Sequence, residues 1–240
     1  MKLIRLRKAN IIFNQMKTKN KKLMYFLIII AVFSFVIIRA FSQRNCDNVA
    51  WDKTVQQIPG KIQCEFYDLG GEGVAYHDFD SVNQGSGKLN LANGTFLNEF
   101  RKKEGVDISY TKSQECDNSP FNLVEPEMGQ LYVGWTKPGE WINYTVNVIK
   151  SGNYNIGIMY AANGNGEISL DLGSKALSAA LQLKSTRNEK DSLEWRQIHH
   201  WNRIDSLTTV KLNKGIQVLK FRTVTNGKMN YDYINFKLKD

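Results

Sequence analysis

The sequence predicts an all-β protein: a jelly-roll β-sandwich preceded by an N-terminal signal or anchor segment. Three observations lead there. Beyond residue 57 the apolar residues recur with period two rather than 3.6, turn signals rich in Gly and Asn separate the apolar runs, and a single long uncharged run follows a basic N-terminus.

The N-terminus comes first because it carries the charge. The chain of 240 residues has a formal charge of +9, but nine of its 32 basic residues lie in residues 1–42, which hold no acidic residue. The remainder balances 23 basic against 23 acidic side chains. A neutral remainder offers no clustered positive surface for phosphates, which excludes nucleic acid as a partner. The run "LMYFLIIIAVFSFVII" (Leu23 to Ile38) follows Lys21 and Lys22 and is shorter than the roughly 20 residues of a spanning helix. Ala40-Phe41-Ser42 has the small-x-small form of a cleavage site, so residues 1–42 read as an export signal removed before Gln43. An uncleaved anchor is the alternative, since Arg39 falls in the cleavage region; only then is the membrane a partner. Either way the protein is expected to be secreted or displayed at the cell surface. Met16 is an alternative start that gives an n-region of ordinary length. "QRNC" lacks the residues expected before a lipidated cysteine.

Residues 43–57 read as a polar leader and residues 58–240 as one domain, long enough for a full core. Its strands follow in order. In "INYTVNV" the residues Ile142, Tyr144, Val146 and Val148 share one face, as a half-buried antiparallel strand requires. "NYNIGIMYA" and "EISLDL" repeat the pattern, and "TTVKL", "IQVLKFRTV" and "YDYINFKL" complete it, with turns at "KSGNY", "ANGNGE", "NKGIQ" and "TNGKM". "SKALSAALQLK" (Ser174 to Lys184) has helix-forming residues but is read as irregular strand and loop. Many short strands with almost no helix point to a sandwich. The cysteines Cys46, Cys64 and Cys116 are odd in number; a Cys64–Cys116 bridge and free buried thiols both remain open. Three histidines in no zinc-like spacing give metal catalysis little to work with.

Two stretches carry candidate ligands. In "IPGKIQCEFYDLGGEGVAYHD", Gln63 and Glu65 project from one strand face about 7 Å apart. In "MNYDYINFKL", Asp232 shares the parity of Ile234, Phe236 and Leu238 and so lies in an inward row, where a carboxylate needs a partner. If the first and last strands are neighbours, Gln63, Glu65 and Asp232 form a hard-oxygen set suited to calcium. Pairing with nearby lysines or backbone donors is the alternative. In "GWTKPGEWINYTVNV" (Gly134 to Val148), Trp135 and Trp141 read as packing residues flanking a strand and Glu140 as a turn carboxylate.

The order "IPGKIQCEFYDLGGEGVAYHD", "GVDISY", "YVGWTKPGEWINYTVNV", "SGNYNI", "EWRQIHHW", "LNKGIQVLKF", "MNYDYINF" resembles the family 6 carbohydrate-binding modules across residues 58–239. The resemblance implies a jelly roll with structural calcium between its first and last strands, and a sugar cleft formed by loops at one end of the sandwich. It further implies a polysaccharide partner of plant or algal origin. The family's first-strand Glu-x-Glu pair falls on Gln63 and Glu65, a departure that removes one negative charge, and its C-terminal aspartate falls on Asp232. The cleft asparagine matches Asn230. The cleft tryptophan matches Trp195, with Trp201 as the alternative; Tyr110 is the opposing aromatic, with Phe100 in reserve, and Glu72 lines the same cleft. These types suit a sugar, whose C–H face lies on an aromatic ring while its hydroxyls need amides and carboxylates.

The competing function is a glycosidase, which needs two carboxylates about 5 to 10 Å apart straddling the sugar. Glu125 and Glu127 in "VEPEMGQ" are the candidates, but alternate residues of one exposed loop do not straddle a substrate. No GxSxG is present. The sequence therefore favours a binder without catalysis.

Overall fold

The computed structural model describes residues 50–51, 54–112, 119–226 and 228–239. The signal or anchor segment, Met16, Cys46 and Cys116 lie outside the described residues. Cys64 is a free, buried thiol.

The described chain forms an all-β sandwich of two sheets. The strands are β1 (Gln56–Ile58), β2 (Gly60–Gln63), β3 (Tyr76–His77), β4 (Ile108–Tyr110), β5 (Leu131–Val133), β6 (Trp141–Val148), β7 (Gly152–Ala162), β8 (Gly166–Leu172), β9 (Lys175–Ala176), β10 (Leu181–Leu183), β11 (Asn202–Leu212), β12 (Gly215–Thr225) and β13 (Met229–Leu238). One sheet runs β1-β6-β12-β8-β10, with β3 on β6 and β9 on β8; the other runs β11-β7-β13-β5-β4, with β2 on β13. The period-two reading of β6 holds, since Ile142, Tyr144, Val146 and Val148 are all buried in the core. They meet Ile156, Ile158, Tyr160, Ile234 and Phe236 from the facing sheet. The stretch from Ser174 to Lys184 supplies β9 and β10, so its Leu and Ala pack as strand and loop.

The structure corrects the expected leader, because the last residues of 43–57 are not free of the domain. β1 pairs in parallel with β6, Gln56 opposite Val146, and the Gln56 side chain accepts a hydrogen bond from the Gln63 backbone N–H at 2.8 Å. The domain thus begins before residue 58.

First and last strands are neighbours as expected: β2 pairs antiparallel with β13, Gln63 opposite Tyr233. Two local departures from regular strand then place the oxygen ligands. The strand ends at Gln63, and Cys64–Phe66 forms a tight 3₁₀ turn that buries both Cys64 and Glu65. On the other side, the register of β13 against β7 slips between Tyr231 and Tyr233, which makes Asp232 the extra residue of a bulge. Bulges re-aim side chains. Here the bulge carries a carboxylate that is completely buried.

A second, smaller apolar cluster lies outside the main core and consists of Tyr132, Met159, Ala161, Trp201 and Tyr233. The segment around Leu123 roofs it, through hydrogen bonds from the Leu123 and Val124 N–H groups to the Trp201 carbonyl and from the Trp201 N–H to Asn122 Oδ1.

Candidate functional site: an aromatic loop cleft

Loops before β6, before β11 and around β4 enclose a cleft of about 310 Å3 whose walls include Tyr110, Trp135, Trp195, His199 and Trp201. Trp195 stands on the 3₁₀ turn Glu194–Ile198 and is 61% exposed, whereas Trp201 is 2% exposed. Of the two tryptophans, only Trp195 is open to solvent. Trp201 is packed edge-on against Tyr132 at 5.2 Å. Tyr110 lines the cleft as well, while Phe100 is buried against Trp51, Phe66 and Phe96.

Rigid support underlies the Trp195 turn. Asp191, buried and without side-chain exposure, accepts from Arg196 Nε at 2.7 Å and from Nη2 at 2.9 Å, a bidentate pair. The same carboxylate meets His200 Nε2 at 3.0 Å and accepts from the Leu193 N–H and the Ser119 hydroxyl. The Arg196 guanidinium holds the Asp191 carboxyl well below the usual carboxylate range. His200 reaches on to the Thr186 carbonyl at 3.1 Å. One carboxylate therefore gathers the residues before, within and after the turn that carries Trp195.

Asn230 lies in β13 at the back of the adjoining hollow, with Trp135, Ile198 and His199. Its Oδ1 accepts the Trp135 N–H at 3.3 Å and its Nδ2 donates to His199 Nδ1 at 3.2 Å. An amide has four hydrogen-bonding positions, so one N–H and one lone pair remain after these two bonds. Burial, with the neighbouring His200 adding, lowers His199 to about 4. The imidazole is neutral at neutral pH. With Nδ1 accepting from Asn230, its proton sits on Nε2.

Trp135 packs as expected, partly buried against the cluster of Tyr132 and Trp201, and it also lines the cleft and the hollow beside it. Its φ is 49°, rare for a bulky residue, and Gly134 precedes it because a Cβ there would meet Asn230 Oδ1 at 2.7 Å. The ring stacks on Tyr132 at 6.1 Å and stands edge-on to His199 at 6.3 Å. Glu140 and Trp141, from the same stretch, play other parts. Glu140 accepts the Lys137 and Phe79 N–H groups and so closes the turn, and Trp141 carries Lys220 Nζ 3.6 Å above its ring.

Glu72 must be corrected, since the structure does not bring it to the aromatic cleft. Positive φ at Gly70, Gly71 and Gly73 folds the "GGEG" loop back on itself. Glu72 then meets His77 Nδ1 at 2.5 Å and the Asp78 N–H at 3.0 Å, in a different hollow lined by Tyr76, Phe79 and Asp80.

The oxygen set at the β2–β13 junction has its own signature. Glu65 Oε2 and both carboxylate oxygens of Asp232 are buried with no hydrogen-bond partner among the described residues. Burial raises Glu65 to about 8 and Asp232 to about 8. Gln63 lies beside them on β2, its Oε1 accepting from Gln130 Nε2 at 2.9 Å. Buried carboxylates without donors are costly unless a cation or a proton is supplied. The residues fit a hard cation.

The glycosidase candidates border the cleft without lining it, since Pro126 between them and Lys112, the partner of Glu125, are among its walls. Glu125 pairs with Lys112 at 3.1 Å and Glu127 with Lys61 at 3.6 Å, both carboxylates largely exposed. Among the described residues that line the aromatic cleft there is no carboxylate.

Comparison with known proteins follows the same direction. The family model for carbohydrate binding module (family 6) matches residues 99–238. No curated protein matches the chain. Among solved structures, the chain is similar to a glycoside hydrolase family 43 arabinoxylan arabinofuranohydrolase from Bacillus subtilis in complex with cellotetraose. That match has 13% identity and a TM-score of 0.46 and covers 78% of this chain but 28% of the enzyme. It is similar also to a family 6 module from Clostridium stercorarium in complex with cellobiose (13% identity, TM-score 0.45, 78% of this chain, 98% of that one). A β-1,3-glucan-binding family 6 module from Bacillus halodurans matches at 17% identity and TM-score 0.42, over 77% of this chain and 99% of that one. With more than half of its length matched by the family model, the chain belongs to the family 6 carbohydrate-binding modules.

Proposed function

We propose that the aromatic cleft is the glycan site of an exported module that holds plant or algal polysaccharide. Trp195 is the platform, with Tyr110 and Trp135 as the opposing aromatic walls. Asn230 uses its remaining N–H and lone pair, and His199 its Nε2 proton, to fix sugar hydroxyls. The observation that carries this reading is the exposed Trp195 ring, held by a buried bidentate ion pair at the mouth of a cleft walled by further aromatics. A large exposed aromatic on a well-braced turn has no packing role to explain it.

Calcium belongs to the same proposal as a structural ion. Glu65 and Asp232 would hold it, with the Gln63 carbonyl oxygen as a third ligand, and its positive charge would neutralise the two buried carboxylates. The ion would pin the first strand to the last.

Affinity electrophoresis of the whole chain in gels cast with soluble xylan, β-glucan or agar-type polysaccharide tests the cleft. Trp195→Ala is expected to weaken binding by about 1 to 3 kcal/mol, by analogy with bases stacked on aromatic platforms. Asn230→Ala is expected to cost about 1 to 3 kcal/mol by leaving groups unpaired. Trp135→Ala is expected to reduce retardation as well. Wild-type retardation by Trp195→Ala, with circular dichroism unchanged, would place the site elsewhere. Reducing ends released by pure protein, and no longer released after Glu125→Gln or Glu127→Gln, would establish an enzyme instead.

A further inference from the structure

A second cavity adjoins the aromatic cleft and shares Trp135 with it. It measures about 490 Å3 and is lined by Asp80, Gln84, Asp107, Lys137, Asn226 and Lys228, with Trp135 as the wall shared with the aromatic cleft. The hollow containing Asn230 shares Trp135 and Lys228 with it and connects the two. The size is that of a ligand pocket.

Its walls are fixed. The tip of the β12–β13 hairpin is laced to the Trp135 loop by the Lys228 N–H donating to the Thr136 carbonyl at 2.6 Å, and the Asn163 N–H donates to the Lys228 carbonyl at 3.2 Å. Asn226 has φ 49°, ordinary for an Asn-Gly hairpin, but Lys228 at 59° and Trp135 at 49° hold the left-handed region with side chains that disfavour it. Residues kept in such conformations cluster at ligand clamps. Both aim at the same cavity.

The chemistry of the lining is balanced. Two carboxylates, Asp80 and Asp107, face two ammonium groups, Lys137 and Lys228, and Asp80 is already joined to Lys137 at 2.5 Å. Gln84 and Asn226 add amides. A wall that mixes donors and acceptors and charges of both signs suits uncharged hydroxyl-rich sugars.

From this placement we infer that the adjoining cavity is an additional sugar subsite, so that an uncharged glycan chain passes Trp135 and is held in both the cleft and the cavity. The inference rests on the reading of the aromatic cleft as the glycan site. It makes the protein a reader of chain length: a short oligosaccharide fills the cleft at Trp195, and a longer one gains the hydrogen bonds of the second cavity.

Isothermal titration of the whole chain with xylo-, cello-, laminari- and agaro-oligosaccharides of increasing length, from disaccharide to octasaccharide, tests it. For the series that binds, affinity is expected to rise by about tenfold once the chain is long enough to pass Trp135, the gain of one or two net hydrogen bonds. Lys228→Gly and Asn226→Gly remove the side chains while suiting the positive φ; the second also deletes an exposed hydrogen bond to the Asn165 carbonyl, so circular dichroism of both variants accompanies the titrations. Both are expected to erase the length-dependent gain, and Asn226→Gly, whose side chain lies outside the Asn230 hollow, to leave the affinity for the shortest bound oligosaccharide as in wild type. Affinity independent of length, or a length gain that survives both variants, overturns the subsite. If binding is lost with Trp195→Ala while the length gain is absent, the cleft stands and the subsite falls. If no oligosaccharide binds, or if Trp195→Ala changes nothing, both readings fall together.

Discussion

In the presence of a chelator, the folded domain is expected to lose stability as the pH rises from about 4 to about 8, and added calcium to remove most of that loss. Glu65 and Asp232 stand at about 8 in the folded state, raised chiefly by burial. Below about pH 4 folded and unfolded chains both hold these protons, and the groups contribute nothing unfavourable. Above it the unfolded chain releases protons that the folded chain retains until about pH 8, so folding is progressively disfavoured across the window. At about 1.4 kcal/mol per pKa unit, two carboxyls displaced by several units make the loss on the order of several kcal/mol. A cation that binds only the folded state offsets this by mass action. Asp78, Asp107 and Glu140, also raised by burial to about 6, 7 and 7, tilt the curve in the same direction with or without calcium. The discriminating quantity is therefore the gap between melting temperatures in calcium and in chelator, which should widen as pH rises. Asp232→Asn should close that gap. Coincident curves at pH 8 would mean that no ion occupies the junction.

Asp191→Ala is expected to be the most damaging single truncation at the cleft. It removes the partner of Arg196 and of His200 at a position where all three are largely buried. Breaking a buried pair by deleting one member costs about 3 to 5 kcal/mol, because the survivor is left uncompensated. For a domain of this size that corresponds to a drop in melting temperature of roughly 10 °C. Retardation in glycan gels should fall with it, since Leu193, Arg196 and His200 all lose the group that sets the turn of Trp195. Thermal denaturation by circular dichroism gives the first quantity and affinity electrophoresis the second. An unchanged melting temperature would show the network to be dispensable.

What could be read from the sequence divides along a physical line. The strands were legible because burial on one face imposes period two, which is why β6 and β13 could be placed from their residues alone. Asp232 was legible as a buried carboxylate for the same reason, although the bulge that frees it from the ladder was not. Glu65 was expected on a strand and lies on a 3₁₀ turn instead, because alternation says nothing about where a strand stops. Trp195 was picked from an ordered set of motifs. Trp135 was not, because its orientation depends on Asn230, 95 residues away in sequence, and on a backbone conformation that no side-chain pattern encodes. Glu72 failed in the opposite sense: its residue type suited a sugar, but three glycines turn the loop toward His77. The Asp191 hub joins Ser119, Leu193, Arg196 and His200 and leaves no local signature at all.

The amide of Asn230 binds Trp135 with one end and His199 with the other, so two walls of the proposed glycan site are fastened to a single core strand before any sugar arrives. A receptor tied in this way surrenders little motion on association. Its calorimetric signature should be a negative heat-capacity change from the covered ring faces, with the entropy cost falling on the glycan and not on the protein. Stiff polysaccharides with few rotatable linkages in their preferred shape would then be held more tightly than supple ones of the same composition. In such a site, selectivity among polymers is set as much by the ligand's own rigidity as by the number of hydroxyls it presents.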